Sequence, residues 1–164
     1  MKGYLLDTNI LNYFFRKESG VHEIISGLPY ETPINISVIT LGEMEFGHKV
    51  ESPKNQLPIQ IQYKHFTANY FPYPINITSS TAIHYGEIRA NLFEKYIPKK
   101  EKKKLRPEQL VDPVTSQTLQ IQENDIWIAA QALERNLILV SHDKGMKRIK
   151  ELMPELQLED WADA

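Results

Sequence analysis

Two spacings of apolar residues take turns along this chain. Short apolar runs of about three or four residues recur between longer stretches where apolar positions return every three or four residues. Residues 3–6 form the first run, which ends in Asp7-Thr8-Asn9 and reads as a buried strand followed by turn and cap residues. Ile10, Leu11, Phe14 and Phe15 then recur at helical spacing, and residues 20–28 predict a second short helix closed by Gly27 and Pro29. Residues 34–37 alternate as a strand, and residues 38–50 follow as a helix. Residues 55–70 predict a further helix although Pro58 opposes it. Residues 74–77 predict a strand, and Thr78-Ser79-Ser80 caps a helix running to Tyr96. Residues 107–122 are rich in Pro and polar residues, whereas 124–135 predict an Ala- and Ile-rich helix. Leu137-Ile138-Leu139-Val140 is the clearest strand, followed by a helix at 144–152 and a weak last strand at 156–158.

Short apolar strands alternating with helices predict an α/β fold with a mostly parallel sheet. The 164 residues suit one domain, and neither a repeat nor an internal boundary interrupts them. With 41% apolar and 24% charged residues, the composition is that of a globular protein rather than a disordered one. The absence of Cys excludes disulfides, thiolate metal sites and cysteine nucleophiles together. No apolar run approaches the roughly 18 residues of a membrane span. The N-terminal residues reach Asp7 too early for a secretory apolar region, so a cytoplasmic location is expected.

In parallel sheets of this kind, ligands bind beyond the carboxyl ends of the strands where strand order reverses. Four acids fall at such positions. Asp7 directly follows the first strand, and Asp143 follows the strongest later strand by two residues. Glu43 shares helical spacing with Ile39, Phe46, Gly47 and Val50, which predicts an inward face; Glu45 lies on a more mixed one. Asp125 opens the Ala-rich helix above Ile128, Ala129 and Ala132. Taken singly, each acid has a structural explanation as a cap, a turn residue or a solvated helix carboxylate. Taken together, they converge on one end of the sheet. Crowded carboxylates repel, and some must protonate unless a cation neutralises them. A hard divalent ion with oxygen ligands meets that need, while the lack of Cys and the sparse His argue against zinc.

The same residues resemble the signatures of PIN-domain nucleases, and in particular the VapC-type toxins of toxin–antitoxin pairs. The resemblance runs through Leu5-Leu6-Asp7-Thr8-Asn9-Ile10, then Ile36-Ser37-Val38-Ile39-Thr40-Leu41-Gly42-Glu43 with Gly47. It continues through Asn124-Asp125-Ile126-Trp127-Ile128-Ala129-Ala130 and Leu139-Val140-Ser141-His142-Asp143. Tyr85-Gly86-Glu87-Ile88-Arg89-Ala90-Asn91-Leu92 and the closing Leu156-Gln157-Leu158-Glu159-Asp160-Trp161 are similar to that group as well. The resemblance implies a PIN-like single domain over residues 1–164, with a five-stranded parallel sheet in the order 3-2-1-4-5 flanked by helices. It implies Mg²⁺ or Mn²⁺ held by Asp7, Glu43, Asp125 and Asp143, and hydrolysis of RNA phosphodiesters by the same four residues. Ser141 takes the place of the hydroxyl residue two before the last acid, and Thr8 and Asn9 are candidates to support the acids. A homodimer and a small cognate antitoxin protein are the implied partners. Two departures stand out. His142 sits where a small polar residue or Arg is commoner, and residues 96–122 are longer than the usual link before the third acid's helix.

Part of that longer link is strongly basic. Between Lys95 and Arg106 there are seven positive residues and one Glu, so this stretch carries +6 while the remaining residues sum to −8. Lys99, Lys100, Lys102, Lys103, Lys104 and Arg106, with Arg89 on the preceding helix, are candidates for phosphate contact with RNA; a solvated charged face is the plainer reading. The five His show no metal-ligand spacing, and neighbours in Ser141-His142-Asp143 point apart, which excludes a triad. The non-enzymatic alternative is an RNA-binding or antitoxin-binding module of PIN-like fold with a degenerate site. The presence of all four acids gives degeneracy no support.

Overall fold

The central strand of the sheet is the first strand of the chain. The computed structural model describes residues 2–18, 20–51, 53–97 and 105–162. β1 (Tyr4–Leu6) lies between β2 (Ile34–Ile36) and β3 (Ile138–Val140), and β4 (Gln157–Glu159) extends the sheet beyond β3. Every pairing is parallel, with Leu5 opposite Leu139 and Leu6 opposite both Ile36 and Val140. Leu5, Leu6, Leu139 and Val140 are wholly buried because helices cover both faces of the sheet. Successive strand residues point to opposite faces. Leu5 and Leu139 join a core with Ile88, Leu92, Ile126, Ala129 and Ile149, while Leu6 and Val140 join another with Ile10, Leu11, Phe14 and Trp161.

Helix boundaries follow from local chemistry. α1 (Thr8–Arg16) begins where Asp7 accepts the Ile10 N–H at 2.8 Å, and it ends at Lys17 in a left-handed conformation. α2 (Val21–Gly27) leads into β2, and Ser37 then caps α3 (Val38–Lys49) by accepting the Ile39 N–H at 2.9 Å. α4 (Pro53–Tyr70) runs through Pro58, the sixth residue of the helix, so the backbone bond forgone lies close to its start. α5 (Ser79–Tyr96) opens on a reciprocal cap in which Thr78 and Thr81 each accept the other's N–H. α6 (Glu123–Arg135) ends at Asn136, again left-handed, and Asp143 caps α7 (Lys144–Leu152) by accepting the Gly145 N–H.

Among the described residues the sheet has four strands rather than the expected five. The segment expected as a further strand contributes a single parallel bridge, between Ser37 and Ile75. Ile75 donates to the Ile36 carbonyl at 2.8 Å and accepts from the Val38 N–H at 3.1 Å. Pro74 on one side has no N–H to offer, and Ile77 on the other is part exposed. With that bridge in third place, the spatial order is the expected 3-2-1-4-5. On α3, the stripe that reaches the core is Thr40, Met44 and His48, whereas Phe46 and Val50 are exposed at 68% and 67%. Glu43 therefore does not belong to a buried apolar stripe, contrary to the reading of its spacing.

The Pro- and polar-rich segment also departs from its appearance. It forms a 3-10 turn at Pro107–Gln109 and an antiparallel bridge between Val111 and Thr118. It places Leu110, Leu119 and Ile121 in the core below α5, α6 and α7. Leu119→Ala is therefore expected to cost about 2–5 kcal/mol in denaturant unfolding, as for any emptied core site. Val114→Ala, at a residue 90% exposed, should stay within about 0.5 kcal/mol. Equal small effects at both positions would show that the segment is not part of the core.

Candidate active site

The order β2-β1-β3-β4 places the reversal of strand order between β1 and β3, and both strands end in residues of interest. At that edge a cavity of about 620 Å³ is lined by Asp7, Glu43, Asp125 and Asp143 together with Thr8, Asn9 and Asn124. All four acids singled out from the sequence thus reach one wall system, from the end of β1, the middle of α3, the start of α6 and the start of α7.

Each acid is fixed by groups of the chain itself. Asp7 is only 4% exposed; Oδ1 accepts the Ile10 N–H, and Oδ2 accepts the Ser141 hydroxyl. Ser141 also accepts the Asp143 N–H at 3.1 Å, so one buried hydroxyl ties the ends of β1 and β3 together. Glu43 accepts the Thr8 hydroxyl on Oε2 and the Asn124 amide on Oε1 at 2.7 Å. Asp125 accepts the Gln122 N–H at 2.7 Å, and Asp143 accepts the Gly145 N–H. A methyl at Gly145 would stand 2.5 Å from the Gln120 carbonyl, so the turn that holds Asp143 requires glycine.

Burial and mutual repulsion act on the two deepest acids. Burial pushes Asp7 up to about 6 against the pull of the Ile10 N–H and Ser141, and the charge of Asp143 adds to the rise. Asp125 is pushed up to about 7 by burial, with Asp143, Glu43 and Asp7 all adding to it. Among the described residues, no three Asp, Glu or His side chains are placed to hold a metal ion as they stand. The carboxylates turn instead to the donors just named.

Asn9 lines the cavity and is exposed. Arg89 does not line it: its guanidinium donates to Glu123 at 3.0 Å and to the Leu105 carbonyl at 3.3 Å. Arg106 is exposed, and Lys99, Lys100, Lys102, Lys103 and Lys104 lie outside the described residues. Asn124 is the polar residue the sequence reading passed over; its only signal was its place beside Asp125. Glu123, next to it, accepts from both Arg89 and the Tyr85 hydroxyl, and the Tyr85 ring stacks on Trp127 at 3.9 Å.

The sequence matches the PIN domain over residues 4–152. This chain belongs to the PIN domain family. No curated protein matches the sequence. Among solved structures, this PIN domain is similar to a chain of VapBC2 from Rickettsia felis bound to a DNA fragment from their promoter. The identity is 26%, with 96% of this chain and 98% of that chain covered and a TM-score of 0.71. It is similar to a chain of the DNA-bound VapBC from Salmonella typhimurium, at 26% identity, 98% and 99% coverage and a TM-score of 0.66. The fold is shared with a chain of VapBC-5 from Mycobacterium tuberculosis, a member of the VapBC family of toxin–antitoxin systems. There the identity is 16%, with 98% of both chains covered and a TM-score of 0.57. PIN domains are generally nucleases, which makes the acidic cavity the candidate catalytic site.

The raised acids make the stability of this PIN domain depend on pH. An acid whose folded value lies above its unfolded one contributes stability in full below the unfolded value of 3.8, and loses it as pH rises through the folded value of about 6. Asp7→Asn removes that loss while keeping an acceptor for the Ile10 N–H. In EDTA at pH 7.5 the variant should melt several degrees higher than the parent, a gain of up to about 3 kcal/mol. At pH 4 the difference should disappear. A variant that melts lower at pH 7.5 would show that the Asp7 charge is not a burden on the fold.

Proposed function

We propose that this chain is a divalent-metal-dependent endoribonuclease and the toxin of a type II toxin–antitoxin pair. The observation that carries the reading is one cavity walled by four carboxylates, two of them pushed far above their ordinary range by burial and by each other. That is the electrostatic state a bound cation relieves. The donor set fits Mg²⁺ or Mn²⁺, because the acids offer hard oxygen ligands and no His or Cys lines the cavity. Asp7, Asp125, Asp143 and Glu43 would hold the ion, directly or through water.

When bound, the ion supplies Lewis acidity and neutralises charge at the phosphate. The chain supplies the positioning. Asp7 is locked by Ile10 and Ser141, so its carboxylate cannot swing away as charge builds. Glu43, held on both oxygens by Thr8 and Asn124, is placed to orient the attacking water and to accept its proton at a carboxylate oxygen. Asn124, Thr8 and Ser141 thus act on the acids rather than on the substrate. Hydrolysis breaks one P–O bond of the RNA backbone, and the displaced ribose oxygen takes a proton.

The likeness to chains of VapBC complexes supports a small antitoxin protein as partner. A homodimer as the working unit and the cytoplasm as its place belong to the same reading. No helix among the described residues is long and apolar enough to cross a membrane. The reading takes residues 1–164 as one catalytic domain.

Cleavage of single-stranded RNA should require Mg²⁺ or Mn²⁺ and stop in EDTA. Asp143→Asn should lower the rate at least about 10²-fold, the scale expected when a charge acting on the transition state is lost. Its thermal melt should not fall. RNA that is bound but left intact by the parent chain in the presence of metal would favour the binding-module alternative. Cleavage surviving in Asp143→Asn would remove that acid from the mechanism.

A further inference from the structure

Past Asp143 the surface changes sign. The next residue, Lys144, lines a hollow of about 360 Å³ together with Gln117, Thr118, Gln120 and Arg148. Lys144 and Arg148 also line a groove of about 630 Å³, whose walls carry Lys95, Tyr96 and Lys147 as well. The hollow and the groove share Lys144 and Arg148, and the acidic cavity adjoins the hollow through residues next to each other in the chain. Gln122 stands in the acidic cavity and Gln120 in the hollow, while Asp143 and Lys144 adjoin across the same step.

Two of the four cations of the groove are loosely engaged. Arg148 faces Asp112 at 3.7 Å and Lys95 faces Glu151 at 3.8 Å, long contacts between part-exposed groups that contribute little. Lys147 donates to Asp160 at 2.9 Å, and Lys144 is exposed with no ion pair among the described residues. Four cations thus meet two acids within the groove and Asp160 beside it, which leaves Lys144 as the surplus charge. Tyr96 supplies an apolar flank with the Lys95 ammonium 5.2 Å from its ring centre. The hollow between is rigid. Gln120 is held at φ 59°, and its carbonyl packs against Gly145 where a methyl would not fit.

We propose that this groove is a second RNA subsite, in which Lys144 and Arg148, flanked by Lys147 and Lys95, bind backbone phosphates on one side of the scissile bond. The proposal rests on the ribonuclease reading for its substrate. A polyanion threaded into a cavity of four acids needs its flanking phosphates neutralised nearby, and these are the cations the fold sets next to Asp143. Gln117, Thr118 and Gln120 offer amide and hydroxyl groups suited to ribose hydroxyls along the way. The contact is with backbone and therefore indifferent to sequence.

The test compares the full chain with Lys144→Gln/Arg148→Gln. Binding of a fluorescent single-stranded RNA of about 20 nucleotides is followed in EDTA across a salt series. Losing two phosphate contacts should weaken binding about 10-fold near 0.1 M salt and reduce the slope of log K against log salt by about 1.4. With Mg²⁺, KM for that RNA should rise while kcat holds, and cleavage of a tetranucleotide should be unchanged. The charge-preserving Lys144→Arg/Arg148→Lys should restore the parent slope. An unchanged slope in the Gln variant overturns the proposal, even where the parent cleaves RNA normally. So does a parent that binds no RNA. RNA held in the groove with the expected slope but never cleaved would sink the nuclease reading and leave the subsite standing.

Discussion

Like charges forced together in a half-buried space are the constraint on which the rest of this molecule turns. The fold cannot avoid the crowding. β1 and β3 are hydrogen-bonded neighbours, so the residues that follow them, Asp7 and Ser141 through Asp143, leave the sheet side by side. α3 and α6 then deliver Glu43 and Asp125 to the same opening. Several donors are spent on holding these groups: the N–H groups of Ile10, Gln122 and Gly145, a serine shared between two strand ends, a threonine, an asparagine amide. These bonds lower the cost of the negative charge without cancelling it, and Asp7 and Asp125 remain well above their ordinary range. The residual strain is electrostatic, and a cation bound there would relieve it.

The site was more legible in the sequence than its supports. Asp7 and Asp143 could be found because a strand end is a position with a meaning: whatever follows an apolar run in a parallel sheet stands at the ligand-binding edge. Asp125 was readable because Ile128, Ala129 and Ala132 follow it on one stripe of its helix, and all three are buried. Glu43 was found by a faulty route, since Phe46 and Val50 share its spacing but face solvent. The core stripe of α3 is Thr40, Met44 and His48, which hydropathy alone does not mark as buried. Asn124 carried no periodic signal at all; its part depends on a hydrogen bond across 81 residues of sequence. The sheet was readable in order but not in strand number, because Pro74 limits its edge to one bridge.

Residues 105–122 show why polar composition is a poor guide to position. Leu110, Leu119 and Ile121 are scattered among polar neighbours with no sustained helical or strand period, yet all three are buried. Isolated apolar residues in a non-periodic segment can dock as firmly as a stripe, because burial depends on the surface they meet. Here that surface is the flank of α5, α6 and α7. The same docking brings Gln122 to the wall of the acidic cavity and Gln117, Thr118 and Gln120 to the hollow, so a segment that looks like an insertion lines both.

The acidic cavity and the cationic groove then pose one problem between them. An anionic polymer is repelled by bare carboxylates and attracted by Lys and Arg, and both effects fall off over about 8–10 Å at physiological salt. A cationic surface remote from the acids would hold the polymer in the wrong place. One directly beside them can offset the repulsion while leaving the carboxylates uncompensated enough to bind a metal. α7 meets both demands within two turns: Asp143 caps it facing the cavity, and Lys144, Lys147 and Arg148 follow on the groove side. Gly145, set between them against the Gln120 carbonyl, is the point where the two surfaces are joined, and a larger residue there would move both.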